Sequence, residues 1–294
     1  MSAVGAIVDW WVQPFVEFAF MRRALAACLA LSLSSSPIGV FLTLRRMSLV
    51  GDATAHAVLP GIALAFVFAG PSMLAMSLGG FLAGLAVAVL AGLTARVTLL
   101  REDASFAALY LIALALGVLL VSVHGTQVDL MHMLFGSVLG IDRAGSLLVA
   151  GISTVTLIAL AIGYRALVVE SVDPHFLRAH GFGGALIHIL FITLVVINLV
   201  AGFQALGTLM AVGLMMLPAA AARSWDIDLS AMLAVAGGIG CVAAFLGLTL
   251  SYHWDLPSGP AIVLTAGALY AISSLAASLR FLPAGVRRSR PDGS

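Results

Sequence analysis

The sequence predicts an all-α, polytopic membrane bundle of about nine transmembrane helices. Two compositional facts point there: the chain is 62% hydrophobic and only 9% charged, with a mean hydropathy of +1.15. A soluble domain would carry about 25% charged residues. The third observation is the spacing of apolar runs, since crossing the hydrocarbon core takes about 20 predominantly apolar residues. Runs long enough for that fall at 20–44, 52–69, 72–95, 105–123, 145–164, 185–203, 205–222, 230–250 and 259–280.

Residues 1–19 lack the basic start and clean apolar core of a cleavable signal. With Asp9, Trp10, Trp11, Gln13, Pro14 and Glu17 they read as an aromatic-rich segment lying at the membrane interface. The first span carries Ser34-Ser35-Ser36-Pro37 near its middle, which predicts a kink whose freed carbonyls are met by the hydroxyls. The runs 185–203 and 205–222 are parted only by a short turn between Gly202 and Gly207, yet as one helix they would be too long for a single crossing. Residues 20–282 form the membrane domain, and 283–294 form a polar C-terminal tail.

Arginine placement orients the bundle. With nine crossings, one choice puts Arg45, Arg46, Arg96, Arg101, Arg165, Arg178, Arg223, Arg280, Arg287, Arg288 and Arg290 inside, leaving Arg22, Arg23 and Arg143 outside. The positive-inside rule then places the N-terminus outside and the C-terminus in the cytoplasm. All-arginine basicity and high alanine fit a bacterial inner-membrane protein. The net charge of +1 gives no expectation of a nucleic-acid partner.

Ionisable groups inside a bilayer are expensive, so each invites a functional reading. Asp52 and His56 open the second span, four residues apart, and helical geometry puts them on one face about a turn apart. A carboxylate oxygen and an imidazole nitrogen suit first-row divalent cations. One chain offers two such ligands; a twofold dimer would offer four. The spacing equally suits Asp52 as a helix cap with His56 bonded to a neighbouring carbonyl. His188 reads as an interfacial or core histidine, and Met210, Met215 and Met216 as packing.

Two outer segments are candidate places for a metal to enter. Loop 124–144 holds Asp129 and His132, and the turn after the eighth span holds His253 and Asp255. The inner loop 165–184 contains Asp173-Pro174-His175-Phe176-Leu177-Arg178-Ala179-His180-Gly181. Asp as N-cap, Pro at the first helical position and Gly past the end mark a two-turn helix. Its Phe176 and Leu177 call for a partner's groove.

Cys28 and Cys241 lie far apart in apolar runs and suggest no disulfide. All fourteen basic residues are arginine, so no P-loop lysine exists and ATP hydrolysis must belong to another subunit. There is no His-Glu-x-x-His pair and no Gly-x-Ser-x-Gly elbow, so the chain is not expected to be an enzyme.

Several stretches resemble the permease family of ABC importers for zinc, manganese and iron. They are Phe20-Met21-Arg22-Arg23-Ala24, Gly39 to Met47, Gly51-Asp52-Ala53-Thr54-Ala55-His56-Ala57-Val58-Leu59-Pro60-Gly61, Leu134-Phe135-Gly136-Ser137 and Asp173 to Gly181. Gly207 to Met210, Leu217 to Arg223 and Asp255 to Gly259 complete them. The likeness runs in order from about residue 15 to 280. It implies a type II importer permease fold and a second permease copy, most simply a homodimer. It also implies two cytoplasmic ABC ATPase subunits and a periplasmic metal-binding protein. Asp52 and His56 would be translocation-path ligands, and Asp173, Pro174, Phe176, Leu177, Arg178 and Gly181 would belong to the helix that couples to the ATPase. The metal is cargo, with no cofactor held permanently. Imidazole beside carboxylate leans towards zinc, with manganese and iron as alternatives. A rival reading from another class is an ion-coupled secondary carrier with Asp52 and His56 as a relay.

Overall fold

Inside a bilayer the backbone must satisfy its own hydrogen bonds, so apolar runs of this length fold as helices. The computed structural model describes residues 3–70, 72–98, 102–123, 138–172 and 184–281, and among them every regular element is helical. In chain order these are α1 (Ala3–Glu17), α2 (Ala19–Leu44), α3 (Val50–Ala57), α4 (Leu59–Ala69), α5 (Met73–Val97) and α6 (Glu102–Val123). A single 3-10 turn (Val138–Gly140) precedes α7 (Arg143–Val172), α8 (Gly184–Leu206), α9 (Thr208–Arg223), α10 (Leu229–His253) and α11 (Ser258–Phe281). The all-α membrane bundle expected from composition is borne out.

Eight spans among the described residues are long and apolar enough to cross a membrane, with α3 and α4 together forming one, Val50–Ala69. The expected span 205–222 is instead the 16-residue α9, about 24 Å long against a core of about 30 Å. It folds back on α8 through Gly207 alone, whose φ of 95° is a conformation open to glycine and strained for other residues. The expected inner loop 165–184 is also corrected, because α7 continues as helix to Val172. The reason is a stripe of buried residues at helical spacing: Val149, Ser153, Thr156, Leu160, Leu167 and Glu170.

Prolines inside helices leave the carbonyl four residues earlier without its donor. The chain meets this need from distant elements. Pro218 orphans the Leu214 carbonyl, which accepts from the Ser36 hydroxyl of α2 at 3.1 Å. Pro14 orphans the Trp10 carbonyl, and His253 Nε2 lies 2.8 Å from it. The serine run before Pro37 therefore serves a neighbour's proline as well as its own helix, where Ser34 and Ser35 bond the Leu31 carbonyl at 3.1 and 2.6 Å. α2 itself runs as one element past Pro37.

Buried polar side chains hold the centre together. Asn198 of α8 donates to Ser34 of α2 at 3.1 Å and to Thr156 of α7 at 3.2 Å, while the Ser34 and Ser153 hydroxyl oxygens lie 3.0 Å apart, within hydrogen-bond reach. Interhelical bonds of this kind stabilise by about 1 kcal/mol each. Asn198→Ala is therefore expected to lower unfolding free energy by about 2 kcal/mol, read as a lower melting temperature of the detergent-purified protein.

Side-chain contacts fix which helix ends meet. At one end Arg45, just past α2, reaches Glu170 near the close of α7 and lies over Phe191 in the second turn of α8. α9 runs parallel to α2, with Ser36 beside Leu214 and Val40 clustered with Ala219 and Ala222, so Arg223 lies towards this end too. There Arg280, closing α11, lies over the Trp225 ring. At the other end Phe18 packs on Tyr252, and Trp10 of α1 stacks on His253 at 4.0 Å.

Candidate site at the broken second span

The chain turns back after α2 through residues 45–49 and starts α3 at Val50. Eight residues later the helix breaks at Val58, because Pro60 supplies no N–H and its ring crowds the preceding turn. α3 is thus one short turn-limited rod, and six of its eight residues, Val50, Gly51, Ala53, Thr54, Ala55 and Ala57, are buried. Gly51 permits the close approach of α9: a Cβ there would fall 2.6 Å from Met215 Cε. The two residues left uncovered are Asp52, 64% exposed, and His56, 31% exposed.

Asp52 does not cap the helix. The N-cap position is Leu49, and no side chain bonds there. His56 Nε2 lies 4.0 Å from Asp52 Oδ1, so both project from one face, as their spacing predicts. The Tyr110 ring of α6 stacks loosely on the imidazole, with centroids 6.0 Å apart and planes 28° apart. Tyr110 is a neighbour of His56 that the sequence does not single out, for it lies in a span with no pattern to mark it.

Depth is the decisive feature. A Cβ at Gly84 would lie 3.0 Å from Val196 Cγ1, 3.0 Å from Val58 Cγ1 and 3.7 Å from Thr54 Cγ2. Gly84 is the twelfth of 25 residues in α5, and Val196 the thirteenth of 23 in α8. Thr54, between Asp52 and His56, is therefore level with the middle of two full spans. A charged side chain at that depth costs about 3 kcal/mol or more against lipid, so this face belongs against water or protein. A helix broken at the midplane beside ionisable side chains is the usual construction of a transport site.

Among the described residues, no group of three or more His, Cys, Asp or Glu side chains could hold a metal ion together. Asp52 and His56 place one carboxylate oxygen and one imidazole nitrogen 4.0 Å apart on an open face, and a metal shell there would need further groups from outside this face. The expected pair His253 and Asp255 fares differently. His253 is stacked under Trp10 and bonded to its carbonyl, and Asp255 sits in a turn with φ of 49°. His253 is occupied in fastening α1. Asp129, His132 and the stretch Asp173 to Gly181 lie outside the described residues.

Sequence reasoning also missed an ion pair. Arg45 Nη2 meets Glu170 Oε2 at 2.9 Å, with the two side chains 7% and 9% exposed, and His188 Nδ1 lies 3.7 Å from Glu170 Oε1. Glu170 fell in the stretch expected to be a loop; the apolar stripe along α7 is the signal that would have found it.

Tyr110 allows a graded test. Aromatic stacking contributes about 0.5–1.5 kcal/mol. Tyr110→Ala should thus reduce substrate transport about two- to tenfold, while Tyr110→Phe, which keeps the ring, transports at nearly the original rate in the same assay.

Comparison with known proteins agrees with this architecture. The family model described as "ABC 3 transport family" matches residues 17–277. The chain is 32% identical over 267 residues to the manganese transport system membrane protein MntC of Halalkalibacterium halodurans, covering 90% of each chain. It is 28% identical to a Haemophilus influenzae protein named "Probable iron transport system membrane protein", covering 92% of this chain and 98% of that one. Among solved structures it is similar to PsaBC from Streptococcus pneumoniae in complex with Fab, with a TM-score of 0.79 and 28% identity over 93% of this chain and 99% of that one. A match to the family model across nearly all of the membrane bundle makes the chain a member of the ABC 3 transport family.

Proposed function

We propose that this chain is the membrane permease of an ATP-driven importer for a divalent transition metal, with manganese as the cargo and iron as the alternative. The observation that carries the reading is the uncovered Asp52–His56 face at mid-depth of the bundle. Relatives named for manganese and iron support this choice of metal over the zinc expected from imidazole beside carboxylate. The donor set itself does not choose among these metals: two carboxylates and two imidazoles contributed by a twofold pair make a thiolate-free oxygen and nitrogen shell that suits manganese, iron and zinc alike. A second permease copy, most simply an identical one, covers the face and completes the shell.

The chain has no lysine for a P-loop, so the energy comes from a cytoplasmic ABC ATPase dimer. Asp173 to Gly181, with Phe176 and Leu177, is the helix offered to that dimer. A periplasmic binding protein delivers the metal to the end of the bundle that carries α1. In this reading the protein lies in a bacterial inner membrane with its N-terminus outside and its C-terminus inside. ATP binding draws the two halves together and exposes the Asp52–His56 ring to alternate sides, and weak ligation lets the cation leave.

The test is uptake by proteoliposomes containing the permease, its ATPase and its binding protein. Manganese uptake should require ATP, persist with a proton ionophore present, and exceed zinc uptake. Uptake that continues without the ATPase and collapses with the proton gradient would mark a secondary carrier instead.

A further inference from the structure

The buried pair Arg45 and Glu170, with the half-buried His188 beside it, forms a cluster that the metal path does not use. Arg45 is joined to Glu170 at 2.9 Å and through Nε to Ser171 Oγ at 3.2 Å, and its guanidinium lies 4.2 Å over the Phe191 ring. Glu170 also faces His188 Nδ1 at 3.7 Å. Three helix ends are thereby fastened to one another: α2 through Arg45, α7 through Glu170 and Ser171, and α8 through His188 and Phe191.

Stability alone is a poor reason to keep such a cluster. Both charges of the ion pair are more than nine-tenths buried, and replacing a buried ion pair by well-packed apolar residues is often neutral or stabilising. Glu170 is also two residues from the end of α7, where the helix dipole disfavours a carboxylate. A locally unfavourable charge that is held by a partner from another helix points to a role in function. Its place in the chain supplies one. α7 and α8 are the two helices joined by residues 173–183, and Arg45 stands seven residues before Asp52, on the turn that leads into α3.

We propose that Arg45, Glu170 and His188 are positioning residues that tie the α7 and α8 ends flanking residues 173–183 to the start of α3, so that ATP-driven displacement of those ends moves the Asp52–His56 face. The proposal rests on the function proposed above. A tie of this kind carries displacement only while it is stiff, and its stiffness comes from charge and fork geometry together.

The experiment measures metal uptake per ATP hydrolysed in proteoliposomes holding the full complex. Two variants are compared with the wild type: the double replacement Arg45→Met/Glu170→Leu, which keeps apolar bulk and leaves no lone charge, and Glu170→Asp, which keeps the charge and shortens the reach. The tie predicts a roughly tenfold fall in the uptake-to-hydrolysis ratio for the double variant and a smaller fall, about threefold, for Glu170→Asp, with hydrolysis retained in both. A double variant that transports at the wild-type ratio overturns it. If the double variant does not assemble, Glu170→Asp decides, and a wild-type ratio there overturns the proposal. Failure of the ATPase to co-purify with the wild-type permease would sink the functional reading itself. Co-purification with an unchanged ratio in the variants sinks only the tie.

Discussion

Asp52→Asn is expected to cut metal uptake by at least roughly 100-fold while leaving the amount of folded protein unchanged. Loss of a group that merely orients a metal ligand costs about 10–100-fold, and a ligand itself costs no less. Asn keeps the shape and one carbonyl oxygen but removes the negative charge that, in the proposed path, attracts the cation. The side chain is 64% exposed in the single chain, so no core packing is lost. His56→Ala should do as much, with the small addition of the lost Tyr110 stack. In the proposed path the two residues act on one ion, and on that reading the double variant should be little worse than either single one. Radioactive manganese uptake in cells expressing equal amounts of each variant checks all three.

The second large effect is on folding. α4 crosses α5 at a pair of glycines: a Cβ on Gly61 would lie 2.0 Å from the Gly79 carbonyl oxygen and 2.6 Å from Ala83 Cβ. The obstacle at the first of these is backbone, so no side chain can swing aside. Gly61→Val must push the two helices apart, at a cost of about 3 kcal/mol or more. The half of the second span that carries Pro60 would move with it. Expected outcomes are a sharp drop in monodisperse protein on size-exclusion chromatography and a lower melting temperature of what remains. Gly151, inside α7 with ordinary helical backbone and open space where a Cβ would go, has no such wall and serves as the comparison.

Much of this was legible in the sequence, because a bilayer leaves few options. Apolar runs of the right length had to be helices, and α2, α5 and α10 fall within a few residues of the expected bounds. The Asp52–His56 face followed from helical periodicity alone. What the residues could not reveal was set by tertiary placement. Asp52 opens its segment, which suggests a place near the membrane edge. Contacts of Thr54 and Val58 with the middle of α5 and α8 bring it inward instead. His253 carries the same ligand chemistry as His56, yet Pro14 of another helix leaves a carbonyl that claims it. Glu170 was hidden because Tyr164, Arg165 and Glu170 together look like the start of a polar loop. The apolar face formed by Leu160 and Leu167 keeps the helix going.

In the proposed path a divalent cation passes between imidazole and carboxylate at the heart of the bundle. The most direct measurement is pulsed electron paramagnetic resonance of manganese trapped in the assembled, lipid-embedded complex. Passage by this route predicts nitrogen modulation from a coordinated imidazole that disappears in His56→Ala. Identical modulation in wild type and His56→Ala, or none in either at full manganese occupancy, would contradict it.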